Sequence, residues 1–252
     1  MAENGRPGAP SGGRPVAAAE GASAAANAGS AMAGGTEIPE AGGAGLSEAA
    51  AVRCPAFTGV VLAGGLSSRL GTGKGVPGPD KGLAPFRGEP LVSRACRYLR
   101  EQGAGSILIS ANRHADEYGR YGRVLADPPQ FGAFQGPLPG IAAALEAARD
   151  EWLLVVPVDV LDLPADMAAR LMAAADAGHP AYARTSEGPH PLCLLAPRGL
   201  HAGLLAWLAG GGRKAQDWLA HVGARPVDFG GAGFVNLNTP EDWCRAGVCP
   251  PQ

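Results

Sequence analysis

Short apolar runs rich in branched and aromatic residues recur at 57–63, 106–110, 123–126, 152–157, 181–184, 192–195 and 225–229. Segments of helical periodicity lie between them, at 91–102, 138–150, 164–177, 200–208 and 215–221. No other feature constrains the chain as much as this alternation. Strands separated by helical crossovers line up in a mostly parallel sheet with helices on both faces, which predicts an α/β fold in three layers. Within 91–102, Leu91, Ala95, Tyr98 and Leu99 share one helical face, with Arg94, Arg97, Arg100 and Glu101 mostly on the other. Thr239-Pro240-Glu241-Asp242 reads as a helix start, with a Thr cap, Pro in the first turn and acids against the positive end of the dipole.

In sheets of this kind ligands bind beyond the carboxyl ends of the strands. Gly64-Gly65 follows the first strand, Asn112 the second, Asp127 the third and Asp159 the fourth, so four strands deliver polar residues to one edge. Two glycines there remove the Cβ atoms that would keep a phosphate or a base from the backbone. Backbone N–H groups can then face an anion, and Arg69 and Lys81 add positive charge, which points to a nucleotide site. A glycine pair after a strand also makes an ordinary tight turn. Neither standard nucleotide loop fits: the dinucleotide spacing G-x-G-x-x-G is absent. Gly73-Lys74-Gly75 ends like a P-loop, but Ser68 stands at its first glycine and Gly75 at the Ser/Thr that would hold magnesium.

The string Leu62-Ala63-Gly64-Gly65, then Ser67, Arg69-Leu70-Gly71 and Asp80-Lys81-Gly82-Leu83, is more specific than any of its parts. It resembles the signature of the molybdenum cofactor guanylyltransferases, within the nucleotidyltransferases that join a nucleoside triphosphate to a phosphorylated acceptor. The resemblance continues through Gly88-Glu89-Pro90-Leu91, Ala111-Asn112-Arg113-His114, Gly136-Pro137-Leu138-Pro139-Gly140 and Pro157-Val158-Asp159. It ends in Phe234-Val235-Asn236-Leu237-Asn238-Thr239-Pro240 and spans residues 57 to about 243, in family order.

The resemblance implies a single Rossmann-like domain of nucleotidyltransferase type. It implies GTP and molybdenum-molybdopterin as substrates, and the guanine dinucleotide cofactor and pyrophosphate as products. Asp159 is implied as a catalytic magnesium ligand, Lys81 as the lysine at the α-phosphate and Arg69 as a third catalytic residue. Leu62, Ala63, Gly64, Gly65, Lys81, Ser110, Asn112, Asp127 and Asp159 are implied around the nucleotide. Arg213, Lys214, Asn236 and Asn238 are implied around the pterin acceptor, and His190-Pro191 matches a family His-Pro pair. Gly64 favours GTP, since cytosine-selective relatives have alanine at that place. Molybdopterin-loading proteins and apo-molybdoenzymes are the implied protein partners.

Plainer roles stand beside these. Asp159 could cap the next helix, although Pro164 places that start later, near Asp162. Asp127 could open an Asx-turn in Asp-Pro-Pro, Lys81 could be a solvated loop lysine, and Arg213 and Lys214 could lie in water at a helix N-terminus, where the dipole disfavours cations. Two departures matter. Ser110 replaces a family asparagine, and residues 71–80 form a longer loop that is either a mobile cover or a neutral insertion. Rival functions are a cytidylyl or sugar-phosphate nucleotidyltransferase, and a non-catalytic GTP-binding module that delivers cofactor.

Composition sets the outer limits. The first 50 residues hold 27 Gly plus Ala and no aromatic, too little apolar surface to offset ordering entropy, so 1–54 is expected to be disordered. Five glutamates there argue against a transit peptide. The expected layout is an extension over 1–54, one domain over 55–246 and a tail over 247–252. A charge of −2 argues against general nucleic-acid binding, and no apolar run reaches the ~20 residues of a membrane span. Five scattered cysteines fit a reduced cytoplasmic protein, and Cys244 with Cys249 makes an incidental pair rather than a zinc site.

Overall fold

The computed structural model describes residues 55–65, 80–132, 135–231 and 233–248. The expectations for 1–54, Arg69, Cys249 and most of the loop 71–80 lie outside the described residues. The strands are β1 Phe57–Leu62, β2 Pro85–Phe86, β3 Glu89–Pro90, β4 Ser106–Ser110, β5 Arg123–Leu125, β6 Trp152–Pro157, β7 Val160–Leu161, β8 Ala181–Thr185, β9 Gly188–Pro197, β10 Arg225–Asp228 and β11 Val235–Asn236. The helices are α1 Leu91–Glu101, α2 Ala115–Tyr118, α3 Leu138–Ala147, α4 Met167–Ala174, α5 His201–Ala209, α6 Ala215–His221 and α7 Pro240–Arg245.

Seven strands form one sheet in the order β10-β8-β9-β6-β1-β4-β5, and all neighbours are parallel except the two pairs that involve β9. The mostly parallel α/β sheet expected from the alternation is present. Its interior strands are apolar on both faces, so alternate residues enter two separate cores. Val61, Leu154 and Val156 pack with Leu91, Cys96 and Leu99 of α1, Met167 and Leu171 of α4, and Trp243 of α7. Val60, Leu153 and Val155 pack on the opposite face with Leu138, Ile141 and Leu145 of α3, Leu204 and Leu208 of α5, and Trp218 of α6. The result is a three-layer sandwich.

β1 sits between β4 and β6, and the chain extends the sheet first to one side of β1 and then to the other. That reversal opens a crevice at the carboxyl ends of β1 and β6, the usual ligand position in such sheets.

Several boundaries differ from the periodicity. The strand read at 192–195 is the end of the ten-residue β9, antiparallel to both neighbours and joined to β8 across a bulge at Tyr182/Ala183. Its Gly-Pro-His-Pro start does not resemble a strand, and the pairing with β8 imposes extension. The helix read at 138–150 ends at Ala147, and Asp150 instead accepts the Thr58 hydroxyl at 2.7 Å. The helix read at 164–177 shrinks to α4, and its start moves from near Asp162 to Asp166. Tyr98 Oη donates to Pro164 O and Gln102 Nε2 to Ala165 O, both at 2.7 Å, so α1 side chains hold the turn before it. The β7–β11 pairing is an addition that only long-range contact reveals, and β2–β3 is an added short hairpin whose strands are two residues each.

Candidate active site

Backbone bonds hold the strand ends level. Ala63 N donates to Ser110 O at 2.9 Å, Ala111 N to Leu125 O at 2.9 Å and Val158 N to Leu62 O at 3.0 Å. β1, β4, β5 and β6 therefore end side by side, and their following residues share one rim. Gly64 and Gly65 are exposed there, and Ala63 is buried beneath them. Ala63, Gly64, Gly65, Asp80, Ala111, Asn112 and Arg113 line a narrow notch on this rim. This is the rim that the sequence assigns to the nucleotide.

On its β4–β5 side, Asn112 Nδ2 donates to Asp127 Oδ2 at 2.7 Å, and Asp127 N donates to Asn112 Oδ1 at 2.8 Å. The Asp127 carboxylate is thus held by the neighbouring strand end. Burial raises its pKa above the usual carboxylate value, and the Asn112 amide pulls it partly back. Ser110 lies deeper, 4% exposed. A Cβ on Gly140 would collide with its hydroxyl, so Gly140 lets the first turn of α3 close onto β4. Ser110 fixes Ala63 through its carbonyl, and α3 covers its side chain.

On the β6 side stands an ion pair: Lys81 Nζ lies 2.9 Å from Asp159 Oδ2, with the side chains 14% and 23% exposed. Lys81 Nζ also donates to Asn238 Oδ1 at 3.3 Å. Lys81 begins a short 3₁₀ turn, Lys81–Leu83, capped by Asp80 Oδ1, which accepts from Gly82 N at 3.1 Å. Asn238 arrives by another route. β11 pairs with β7, Leu237 N donates to Asp159 O at 3.0 Å, and Asp242 Oδ2 accepts from Asn238 N at 3.0 Å. The fold therefore brings together Lys81, Asp159 and Asn238 from three parts of the chain. Lys81 is not a solvated loop residue, and Asp159 does not cap α4, whose N-cap is Asp166.

The other residues that the resemblance places at the acceptor are more dispersed. Asn236 is exposed on β11 and its amide donates to Phe234 O at 3.4 Å. His190 stacks on Phe234 with ring centroids 4.5 Å apart, and its Nε2 meets Thr185 Oγ1 at 2.9 Å. Burial lowers the His190 pKa. Arg213 Nη1 donates to Leu208 O and Gly212 O, both at 2.8 Å. It places a cation at the C-terminal end of α5, where the dipole favours one. The Arg213 carbonyl also faces Gly136, so the basic pair lies beside the approach to α3, and Lys214 is exposed at the start of α6.

Three residues of the site carry no role in the sequence reading: Asp80, Arg113 and Tyr118. Asp80 and Arg113 lie inside the matched strings, but only the fold shows them 3.7 Å apart, with Tyr118 Oη on the same carboxylate.

Among the described residues no group of three or more His, Cys, Asp or Glu is arranged to hold a metal ion. Magnesium needs no such cage, because it keeps waters and takes one or two carboxylates together with substrate phosphates. Asp159 fits that demand: it is a partly exposed carboxylate at a strand end, and Lys81 engages one of its two oxygens. Cys96 and Cys193 are buried free thiols, and burial pushes Cys96 up to about 11. No described helix is long and apolar enough to cross a membrane.

A family model described as the MobA-like NTP transferase domain matches residues 59–225. A molybdenum cofactor guanylyltransferase from Serratia proteamaculans is 39% identical over 192 residues, covering 75% of this chain and 92% of that protein. A solved nucleotidyl transferase from Methanothermobacter thermautotroptrophicus superposes with TM-score 0.60 at 19% identity, over 75% of this chain and 95% of that one. A Mycobacterium tuberculosis protein in complex with manganese gives TM-score 0.57 at 18% identity, over 76% and 97% of the two chains. Both solved structures share the fold.

Proposed function

The chain belongs to the MobA-like NTP transferase domain family and is a nucleotidyltransferase, and from that premise we propose that it transfers GMP from GTP to the terminal phosphate of molybdenum-molybdopterin. An acceptor phosphate oxygen bonds to the α-phosphorus of GTP, the bond from that phosphorus to the β-phosphate oxygen breaks, and pyrophosphate leaves. The observation that carries this reading is the position of Lys81, whose ammonium meets both Asp159 and Asn238. A residue of the triphosphate signature and a residue of the acceptor motif thus converge on one point. A transfer between two polyanions needs such a point.

The protein's task is to hold two phosphorylated molecules in line and offset their charge. Gly64 and Gly65 let the nucleotide approach the backbone at the end of β1. Asn112 and Asp127 flank it on the β4–β5 side, with Ala63 beneath it and the paired strand-end residues Leu62 and Ser110 supporting that rim from below. Lys81 offers its ammonium to the α-phosphate region, and Asn236 and Asn238 meet the pterin. Arg213 and Lys214 offer charge to the acceptor phosphate from the side of α3. Asp159 is the residue to hold magnesium, which when bound would neutralise phosphate charge at the reacting centre. Arg69 completes the catalytic set from the sequence reading. Molybdopterin-loading proteins and apo-molybdoenzymes are the corresponding protein partners, and the cytoplasm is the corresponding compartment.

Incubating the pure protein with each nucleoside triphosphate, magnesium and the molybdenum-loaded pterin tests the reading. Pyrophosphate release is expected with GTP and only when the acceptor is present. Preference for CTP would make it a cytidylyl enzyme of the same cofactor, turnover on a sugar phosphate would move it to another acceptor class, and GTP binding without pyrophosphate would leave a delivery module.

A further inference from the structure

Tyr118 is fully buried at the end of the four-residue helix α2. Nothing in the transfer chemistry above uses it. Its hydroxyl donates a short hydrogen bond to Asp80 Oδ1, the oxygen that also caps the Lys81–Leu83 turn through Gly82 N. Tyr118 Oη lies so close over Gly82 that a Cβ there would collide with it, which is a packing reason for glycine after Lys81. Asp80 Oδ2 is 3.7 Å from Arg113 Nη2, and the same nitrogen donates to Gly65 O at 3.2 Å. The Asp80 side chain is 8% exposed, so its carboxylate is held largely away from competing water. Burial and the Asp80 carboxylate both push the phenol pKa upward, so Tyr118 stays protonated as a donor.

We propose that Tyr118 is a positioning residue for Lys81: through Asp80 it fixes the turn that aims the lysine ammonium at Asp159 and Asn238. Arg113 extends the same bracket to the glycine loop, so the base side and the phosphate side of the site move as one body. The proposal rests on the reading that Lys81 faces the triphosphate. A lysine has four rotatable side-chain bonds, and its ammonium is only as well placed as the turn that carries it. Misplacement of about 1 Å can cost on the order of 10²-fold in rate, so loosening the cap should lower turnover more than binding.

The test uses the full chain as wild type, Tyr118→Phe, Lys81→Ala and the double variant. Tyr118→Phe keeps the buried ring and removes only the hydroxyl. With GTP, magnesium and the pterin acceptor it is expected to lose about 10-fold in turnover with a much smaller change in the KM for GTP. In the Lys81→Ala background it should cost almost nothing further. A loss of equal size in both backgrounds would mean that Tyr118 acts elsewhere and would overturn the proposal.

A second readout needs no turnover. The paired Lys81 amine should resist acetylation by an amine-directed reagent in wild type and react faster in Tyr118→Phe, as followed by mass spectrometry. Equal rates would sink the positioning role even if the transfer assay proved silent. Silence of the wild-type assay alone counts against the proposed transfer. Should Tyr118→Phe not fold, Asp80→Asn must show the same turnover loss and the same faster acetylation.

Discussion

A methyl group added at Gly64 would meet Ser110 O at 3.6 Å and Asn112 Nδ2 at 3.7 Å, which are ordinary van der Waals distances. Gly64→Ala should therefore fold normally, and its effect should report on the bound base alone. GTP use is expected to fall relative to CTP by about 1–3 kcal/mol of discrimination, as for a methyl-sized change in a pocket. An unchanged GTP-to-CTP ratio would remove Gly64 from base selection. At Asp159, substitution by Asn keeps the size and much of the hydrogen bonding but removes the charge that faces Lys81 and is proposed to hold magnesium. Turnover should drop by about 10²-fold or more, with circular dichroism unchanged and GTP affinity less affected. Near wild-type turnover with wild-type magnesium dependence would shift the metal role to Asp127. Asp127 itself separates stability from function by pH. A carboxyl whose pKa is raised on folding destabilises the native state when ionised, and the cost is relieved as pH falls through the folded pKa. Asp127→Asn is expected to melt no lower than wild type at pH 7, with any gain shrinking towards acidic pH, while the KM for GTP rises. A lower melting temperature at pH 7 with an unchanged KM would make Asp127 a loop-structuring residue.

Among the elements, α7 links stability to the proposed acceptor side. Its capping box is reciprocal: Thr239 Oγ1 accepts from Asp242 N at 3.2 Å, and Asp242 Oδ2 accepts from Thr239 N at 2.8 Å. The same carboxylate holds Asn238 N, one residue before the N-cap, so the cap also sets the residue that reaches Lys81. Thr239→Ala should cost about 1 kcal/mol in denaturant unfolding and raise the KM for the pterin acceptor more than that for GTP. Equal changes in both would mean that α7 supports the domain without steering Asn238. The sequence marks this helix start clearly, because capping chemistry is local. The start of α4 is not marked, because side chains of α1 hold the turn before it. β9 is half hidden for the same kind of reason: two prolines disguise residues that pairing with β8 makes extended.

For the whole molecule, the domain layout makes one prediction from composition alone. Residues 1–54 are proposed to be dispensable, since the first 50 are mostly glycine and alanine without an aromatic. Deleting residues 1–53 should leave melting temperature and turnover nearly unchanged, and a loss of more than a few degrees would mean that the segment contributes to the folded unit. The sequence by itself determined the three-layer plan, the rim at the strand ends and the residue types that stand on it. It could do so because hydrophobic period reports which faces are buried and because strand ends expose the residues that follow. Tertiary structure alone decided that β9 runs against its neighbours, that Lys81 meets an asparagine 157 positions away, and that Tyr118 reaches back 38 positions to the aspartate that caps the turn carrying that lysine. Period says that a face is covered but not by which element. Partners so distant in sequence are chosen by the order of strands in the sheet, and that order is settled only when all the layers pack together.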